Sequence, residues 1–254
     1  MESNALNKEK TTNLFSTNTL ARASMLLALS VILKIIFEIY IPLAGLPALR
    51  INITSIPIIL SGMMFGPLVG FIVGGLSDIL CFIIKPSGPY FPGFTISAAL
   101  TGLIPGLIFK YIKKDRRYTL INTIIIIAIS LGFIGMLFVK DVLEYSNETL
   151  YIYNNPLNII HIILYVSLIF LYIYIPYRIS KEENNLKIDK ILFAVSITQL
   201  VTSVMFNTYF LSILFGKGFM IFLPGRIITN FVLIPLYTII LAATYKLIKT
   251  SKYN

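Results

Sequence analysis

The chain is poor in the residues that redox-active, metal-binding or soluble proteins rely on. Among 254 residues there is one cysteine and one histidine. The single Cys81 excludes an intramolecular disulfide, and its place in an apolar run suits a small buried hydrophobe. His161 has no Cys, Asp or Glu beside it at ligand spacing. A hydrogen-bonded packing role is expected of it, with no metal site and no cofactor. Charge is also scarce: 13% of residues are charged, where a soluble domain carries about 25%. No nucleotide-type glycine loop is present, because Gly70, Gly74 and Gly75 fall in an apolar span with no Lys-Ser/Thr behind them. Neither a tandem repeat nor a secretory leader is visible. The polar first 19 residues read as a short cytoplasmic tail.

Hydrocarbon is abundant instead. Hydrophobic residues make up 57% of the chain and the mean hydropathy is +0.85. This composition predicts an all-α, polytopic membrane bundle. Eight apolar spans can be read: about Leu20–Tyr40, Ile53–Phe65, Pro67–Ile84, Phe94–Ile112, Thr119–Val139, Leu157–Tyr177, Ile191–Phe215 and Phe219–Tyr245. The second is short for a crossing, and Gly66-Pro67 is either a kink in one long helix or a turn between two. The net charge of +10 would point to nucleic acid in a soluble protein. Here the bias of cytoplasmic loops accounts for it, and no nucleic-acid partner is expected. Lys and Arg cluster in the N-terminal stretch to Arg22, in Lys110–Arg117, in Arg178–Lys190 and after Lys246. All four clusters share one side only if Gly66-Pro67 is a turn, which predicts eight crossings in the cell membrane with both termini cytoplasmic. The connection Lys140–Asn155 then lies outside, with Asp141, Glu144 and Glu148 in it. Spans five and six hold isoleucine runs and little polarity. Excising them leaves six helices with unchanged orientation. The expected organisation is therefore residues 1–19 as tail, 20–117 as core helices one to four, 118–187 as an inserted transmembrane hairpin, and 188–254 as the last two core helices with the C-terminal tail.

The polar residues inside the spans carry the functional signal. Asp78 lies in an otherwise apolar segment, where an unpaired carboxylate costs about 3 kcal/mol or more. It must pair with a Lys or Arg elsewhere, or accept N–H donors from a ligand ring. Just beyond it, Lys85–Gly93 breaks the apolar pattern with prolines and glycines around Tyr90 and Phe91, which predicts an ordered turn between two helices. Lys34 and Glu38, four apart, form a mutual ion pair or line a cavity. Arg50, beside Asn52, is an interface anchor or a clamp on a carboxylate. Asn207 supplies both donor and acceptor. Arg226 and Asn230, also four apart, satisfy each other or face one cavity. Ala21, Ser24 and Ala28 form a small face on the first helix, for an internal contact or for a partner.

Several blocks resemble a known family. Leu49-Arg-Ile-Asn52, Gly62-Met-Met-Phe-Gly-Pro67, Gly75-Leu-Ser-Asp78, Pro86-Ser-Gly-Pro-Tyr-Phe-Pro-Gly-Phe-Thr-Ile-Ser-Ala98 and the later Asn207-Thr-Tyr-Phe-Leu-Ser-Ile-Leu-Phe-Gly-Lys-Gly-Phe219 with Leu223-Pro-Gly-Arg226 are similar to the substrate-binding S components of energy-coupling-factor (ECF) vitamin transporters, the folate-type subgroup above all. The resemblance covers about Leu20–Tyr111 and Ile188–Tyr245. It implies a six-helix, non-enzymatic binding subunit in the lipid membrane, closed by external loops and driven by a T component with two ATPases. The hairpin is a departure from that pattern. So is the first helix, where Ser24-xxx-Ala28 is the nearest equivalent of the family's small docking residues. On this reading the ligand is folate or another vitamin. Tyr90, Phe91 and Phe94 form a flat aromatic slot, Asp78 and Asn207 meet the ring, Arg50, Lys217 and Arg226 meet the acidic tail, and Asn52 is a further substrate-binding residue. Two other classes are weaker on the residues. A self-contained secondary transporter needs inverted repeats and coupling charges, and an intramembrane enzyme needs a catalytic set that His161 lacks.

Overall fold

The computed structural model describes residues 16–37, 39–43, 46–51, 53–86, 88–112, 143–146, 149–152, 155–156, 186–216 and 219–251, with the isolated residues 124 and 127. In chain order these are α1 (Thr17–Phe37), the strands β1 (Ile39–Leu43) and β2 (Leu46–Ile51), then α2 (Ser55–Phe65), α3 (Pro67–Ile84) and α4 (Pro92–Tyr111). Three short strands follow, β3 (Leu143–Ser146), β4 (Thr149–Ile152) and β5 (Asn155–Pro156). Then comes α5 (Leu186–Gln199), which passes through a π-helical segment (Leu200–Asn207) into α6 (Thr208–Phe215), and finally α7 (Phe219–Ser251). Among the described residues five helical runs are long and apolar enough to cross a bilayer, and Ser55–Phe65 is a shorter apolar helix. The chain is a multi-pass membrane protein with an all-α body. The strands are confined to connections: β1 pairs antiparallel with β2, and β3, β4 and β5 form a small antiparallel sheet. Apart from those strands and Ile124 and Ile127, the expected hairpin 118–187 lies outside the described residues up to the start of α5, as do Glu38, Asn52, His161 and Lys217.

Local chemistry sets the helix boundaries. Pro67 and Pro92 open α3 and α4, where a missing N–H is harmless and the fixed φ suits the first turn. Between α2 and α3, Gly66 takes φ 96°, a conformation that favours glycine. A Cβ built on Gly70 would fall 2.7 Å from the Gly62 Cα. In one continuous helix those residues would be about 12 Å apart. Gly66-Pro67 is therefore a reversal between two helices, not a kink.

The reversal builds a glycine seam. Cβ atoms on Gly62 or Gly70 would overlap the Gly102 carbonyl, one on Gly74 would overlap that of Ala98, and one on Gly106 would meet Pro67 at 2.6 Å. Helices α2, α3 and α4 approach this closely only because no side chain intervenes, which lets backbone dispersion replace the hydrophobic drive that lipid cannot supply. A second core joins α2, α5 and α7 through Ile59, Leu60, Ile191, Val195, Tyr237 and Leu241. Exposed Phe71, Ile72, Leu76, Ile79, Leu80 and Ile83 along α3 face outward, as a lipid-facing helix requires. Helix α1 is the least enclosed, with 17% of its apolar window buried. On it Ala21, Ser24 and Ala28 are exposed.

At the end of the bundle opposite the β1–β2 pair, Lys190 of α5 donates to the carbonyls of Phe109 (3.3 Å) and Ile112 (2.9 Å). Its ammonium lies 4.7 Å from the Phe109 ring centroid. The last turn of α4 and the first turn of α5 are thereby stapled together.

Candidate functional site

Asp78 is the centre of the polar chemistry. Its Oδ1 accepts from Lys34 Nζ at 3.1 Å and its Oδ2 from Thr95 Oγ1 at 2.9 Å. Thr95 Oγ1 in turn lies 3.1 Å from the Tyr90 hydroxyl. A chain of contacts thus runs from α1 through α3 and α4 to the loop that carries Tyr90. The Lys34 and Asp78 side chains are only 16% and 18% exposed. Of the two sequence readings for Lys34, the lining of a cavity is met, with Asp78 as its ion-pair partner; Glu38 lies outside the described residues. One turn deeper, Ser30 Oγ and Ser77 Oγ lie 2.7 Å apart and Ser30 also donates to the Thr54 carbonyl at 3.3 Å. This polar seam ties α1 to α3 below the ion pair.

Beneath these groups lies a cavity of about 130 Å³. Lys34, Asp78, Phe94, Asn207 and Arg226 line it together, although they come from α1, α3, α4, the π segment and α7. At 1.5 Å rise per residue, these positions sit roughly 3–12 Å below the helix ends that carry the loops. The cavity is lined in addition by Ser97, Thr101, Gln199, Thr202 and Ser203, none of which had been singled out from sequence. Their signal was faint but present. Ser97 with Thr101, and Thr198 with Thr202, are small hydroxyl residues spaced four apart in apolar spans. Thr101, Thr198 and Thr202 each donate to the carbonyl four residues back, which lets a hydroxyl sit in a membrane helix at little cost.

The π segment explains how Thr202, Ser203 and Asn207 reach one wall. One extra residue per turn widens the helix and changes the facing of everything after it. Asn207 Oδ1 is buried with no hydrogen-bond partner among the described residues, an unpaired polar group that a ligand donor would satisfy. Asn230 instead donates Nδ2 to Ser203 Oγ (3.0 Å) and to the Arg226 carbonyl (2.8 Å). Arg226 lines the cavity and Asn230 does not, so the reading of one shared cavity holds for Arg226 alone.

Aromatic rings close the cavity toward the loops. Phe91 packs on Phe94 (centroids 5.7 Å) and on Phe210 (5.5 Å), while Tyr90 leans on Phe82 at 5.0 Å. A smaller space of about 60 Å³ adjoins the first, sharing Lys34, Asp78 and Phe94 with it and reaching Lys85, Tyr90 and Phe91. Arg50 lies in β2, opposite Tyr40 in the strand register, and β2 lies against α7.

A multi-pass helical bundle with an acid, an amide and a guanidinium converging on an aromatic-walled cavity under short loops defines a membrane-embedded small-molecule binding protein. Residues 18–164 match the family described as ECF transporter, substrate-specific component. That is more than half of the chain, and the chain belongs to this family. A stretch of 88 residues is 46% identical to the folate transporter FolT of Clostridium novyi (strain NT), covering 35% of this chain and 50% of that protein. The chain thus spans about half the length of that relative. A 64-residue stretch is 34% identical to an uncharacterized protein of Mycoplasma pneumoniae, covering 25% of this chain and 13% of that protein. The fold is similar to a crystal structure of FolT bound with folic acid, with a TM-score of 0.52, 20% identity, and coverage of 91% of this chain and 92% of that one.

Proposed function

We propose that this chain is the folate-binding subunit of an ATP-driven ECF importer. The observation that supports the reading best is the buried, unsatisfied Asn207 amide facing Asp78 and Arg226 across one aromatic-walled cavity, in a chain with local 46% identity to a folate transporter. A pterin ring presents adjacent N–H donors, which a carboxylate accepts in pairs, together with flat faces for Phe91 and Phe94. Asp78, Asn207 and Asn52 meet the ring in this reading. Tyr90, Phe91 and Phe94 stack on it or close over it, and Arg50, Lys217 and Arg226 meet the acidic tail. The cavity of about 130 Å³ is smaller than the ~300–1,000 Å³ clefts usual for ligands of folate's size, so the outer loops must part to admit the whole molecule. The termini lie in the cytoplasm and the cavity opens outward. A T component docked on Ala21, Ser24 and Ala28, with two ATPases behind it, turns the site inward. The chain is not an enzyme.

Purified protein in detergent should bind folic acid with a Kd below about 1 μM, roughly −8 kcal/mol. In liposomes it should accumulate none until the T component, the ATPases and ATP are added. Ser24→Leu or Ala28→Leu should then block uptake and spare binding. Concentrative uptake by this chain alone, driven by a proton or sodium gradient, would overturn the reading in favour of a secondary transporter.

A further inference from the structure

The smaller space beside the main cavity has a chemistry of its own. Its described lining contains two ammonium groups, Lys34 and Lys85, and one carboxylate, Asp78. Lys34 is already neutralised by Asp78 at 3.1 Å. Lys85 Nζ donates at 3.1 Å to the backbone carbonyl of Ile35, in the last turn of α1. A carbonyl at a helix C-terminus holds a cation in place and favours its charge, but it carries no formal anion. Among the described lining residues, Lys85 is therefore the cation with charge to spare. It projects into a space with room for about four waters, or for a carboxylate and the atoms that bear it. Aromatic rings flank that space: Tyr90 on Phe82, and Phe91 on Phe94. An aryl group carrying an anion fits such a lining, the ring against the aromatic faces and the anion on the ammonium.

We infer that Lys85 and this vestibule form the subsite for the anionic, glutamate-bearing end of the ligand, which makes Lys85 a specificity-determining residue absent from the sequence-based set. The inference rests on the folate reading above. A glutamate tail bears two carboxylates, so Lys85 joins the cations proposed above for it. The two spaces share the lining residues Lys34, Asp78 and Phe94, so one extended molecule would have its ring in the larger space and its tail in the smaller. Lys85 is exposed, so its attraction is screened by salt and modest in size.

The test compares folic acid with pteroic acid, which lacks the glutamate, by titration calorimetry on the full-length protein and its Lys85→Gln and Lys85→Arg variants. Lys85 is exposed and its one described hydrogen bond is to the Ile35 carbonyl, so thermal stability should stay within a few degrees of wild type. Lys85→Gln should weaken folic acid about tenfold, near 1.4 kcal/mol, and pteroic acid less than twofold, while Lys85→Arg keeps both. Raising salt should weaken folic acid more steeply in the wild type than in Lys85→Gln. Equal losses on the two compounds, or an unchanged folic acid affinity and salt slope in Lys85→Gln, would overturn the subsite. A wild-type protein that binds neither compound would sink the folate reading itself, and this subsite with it.

Discussion

Replacing Asp78 by Asn separates a structural ion pair from a ligand group, because the two roles leave different residues of energy. Asp78 accepts from Lys34 and Thr95 at 3.1 and 2.9 Å, and both members of the pair are more than four-fifths buried. Asn keeps the shape and one acceptor oxygen but removes the charge. Breaking a buried pair by taking away one partner costs about 3–5 kcal/mol. Here Asn still accepts one hydrogen bond and the pair keeps some exposure, so about 2 kcal/mol of stability should be lost. Binding changes independently. Hydrogen bonds to a charged acceptor are worth about 1.5–3 kcal/mol, so loss of the carboxylate should weaken folic acid by about 2–3 kcal/mol, or roughly 30–150-fold. The double variant Lys34→Met/Asp78→Asn decides between the roles. Removing both charges should bring stability back to within about 1 kcal/mol of wild type, yet leave folic acid binding as weak as in the single variant. Thermal unfolding and calorimetry on the same detergent preparations read the two quantities. A double variant that binds within threefold of wild type would refute the ligand role and leave Asp78 as the counterion of Lys34.

Other expectations follow from the packing and the topology. Gly102→Val should lower stability by about 3 kcal/mol or prevent folding, because overpacking a tight contact costs about 1–3 kcal/mol and here the obstacle is the Gly70 backbone; Gly75→Ala, whose Cβ would meet Ala99 Cβ at an ordinary 3.7 Å, should be tolerated. Deleting residues 118–187 with a short linker should keep folic acid affinity within about tenfold, since Lys190 already holds Ile112 beside α5; loss of binding in a folded, monodisperse deletion variant would place the segment in the site. Single cysteines at positions 114 and 187 should be shielded from an impermeant thiol reagent in intact cells, and those at 87 and 147 labelled; labelling at 114 would reverse the assigned orientation.

Much of the body was legible because membrane helices announce themselves in one dimension. A run such as Pro67–Ile84 needs only its hydropathy, its opening proline and the Lys85–Gly93 break to be placed, and the structure sets α3 on those residues. The charge clusters bear on more than orientation. By requiring an even number of crossings they distinguished a turn at Gly66 from a kink, a distinction that local sequence left open and that the contact of Gly62 with Gly70 settles. The convergence of Asp78, Phe94, Asn207 and Arg226 on one cavity was legible for a related reason. Polar groups at membrane depth are costly, so the few that occur gather where they can be satisfied.

What stayed hidden is what depends on azimuth and pairing. Composition places Lys34 and Asp78 at similar depth but says nothing of which helices are neighbours, so the pair they form between α1 and α3 could not be read from it. The π segment is a harder case. Leu200–Asn207 contains no proline or glycine, and its residues fit an α-helix as well as their neighbours do. A wider turn there forfeits good α-helical hydrogen bonds and is retained only where something repays the loss. Part of the return is visible: Thr208 Oγ1 donates to the Ser203 carbonyl at 3.2 Å, and Ser203 Oγ holds Asn230. The rest is outstanding, because Asn207 Oδ1 is buried and has no partner among the described residues. An unpaid polar group in a wall that also presents Thr202 and Ser203 to the cavity is expected where a protein awaits a ligand that completes its hydrogen bonding. On that argument the irregularity belongs to the site, and regularising the segment by deleting Met205, a residue exposed at the lipid face, should cost binding more than it costs stability.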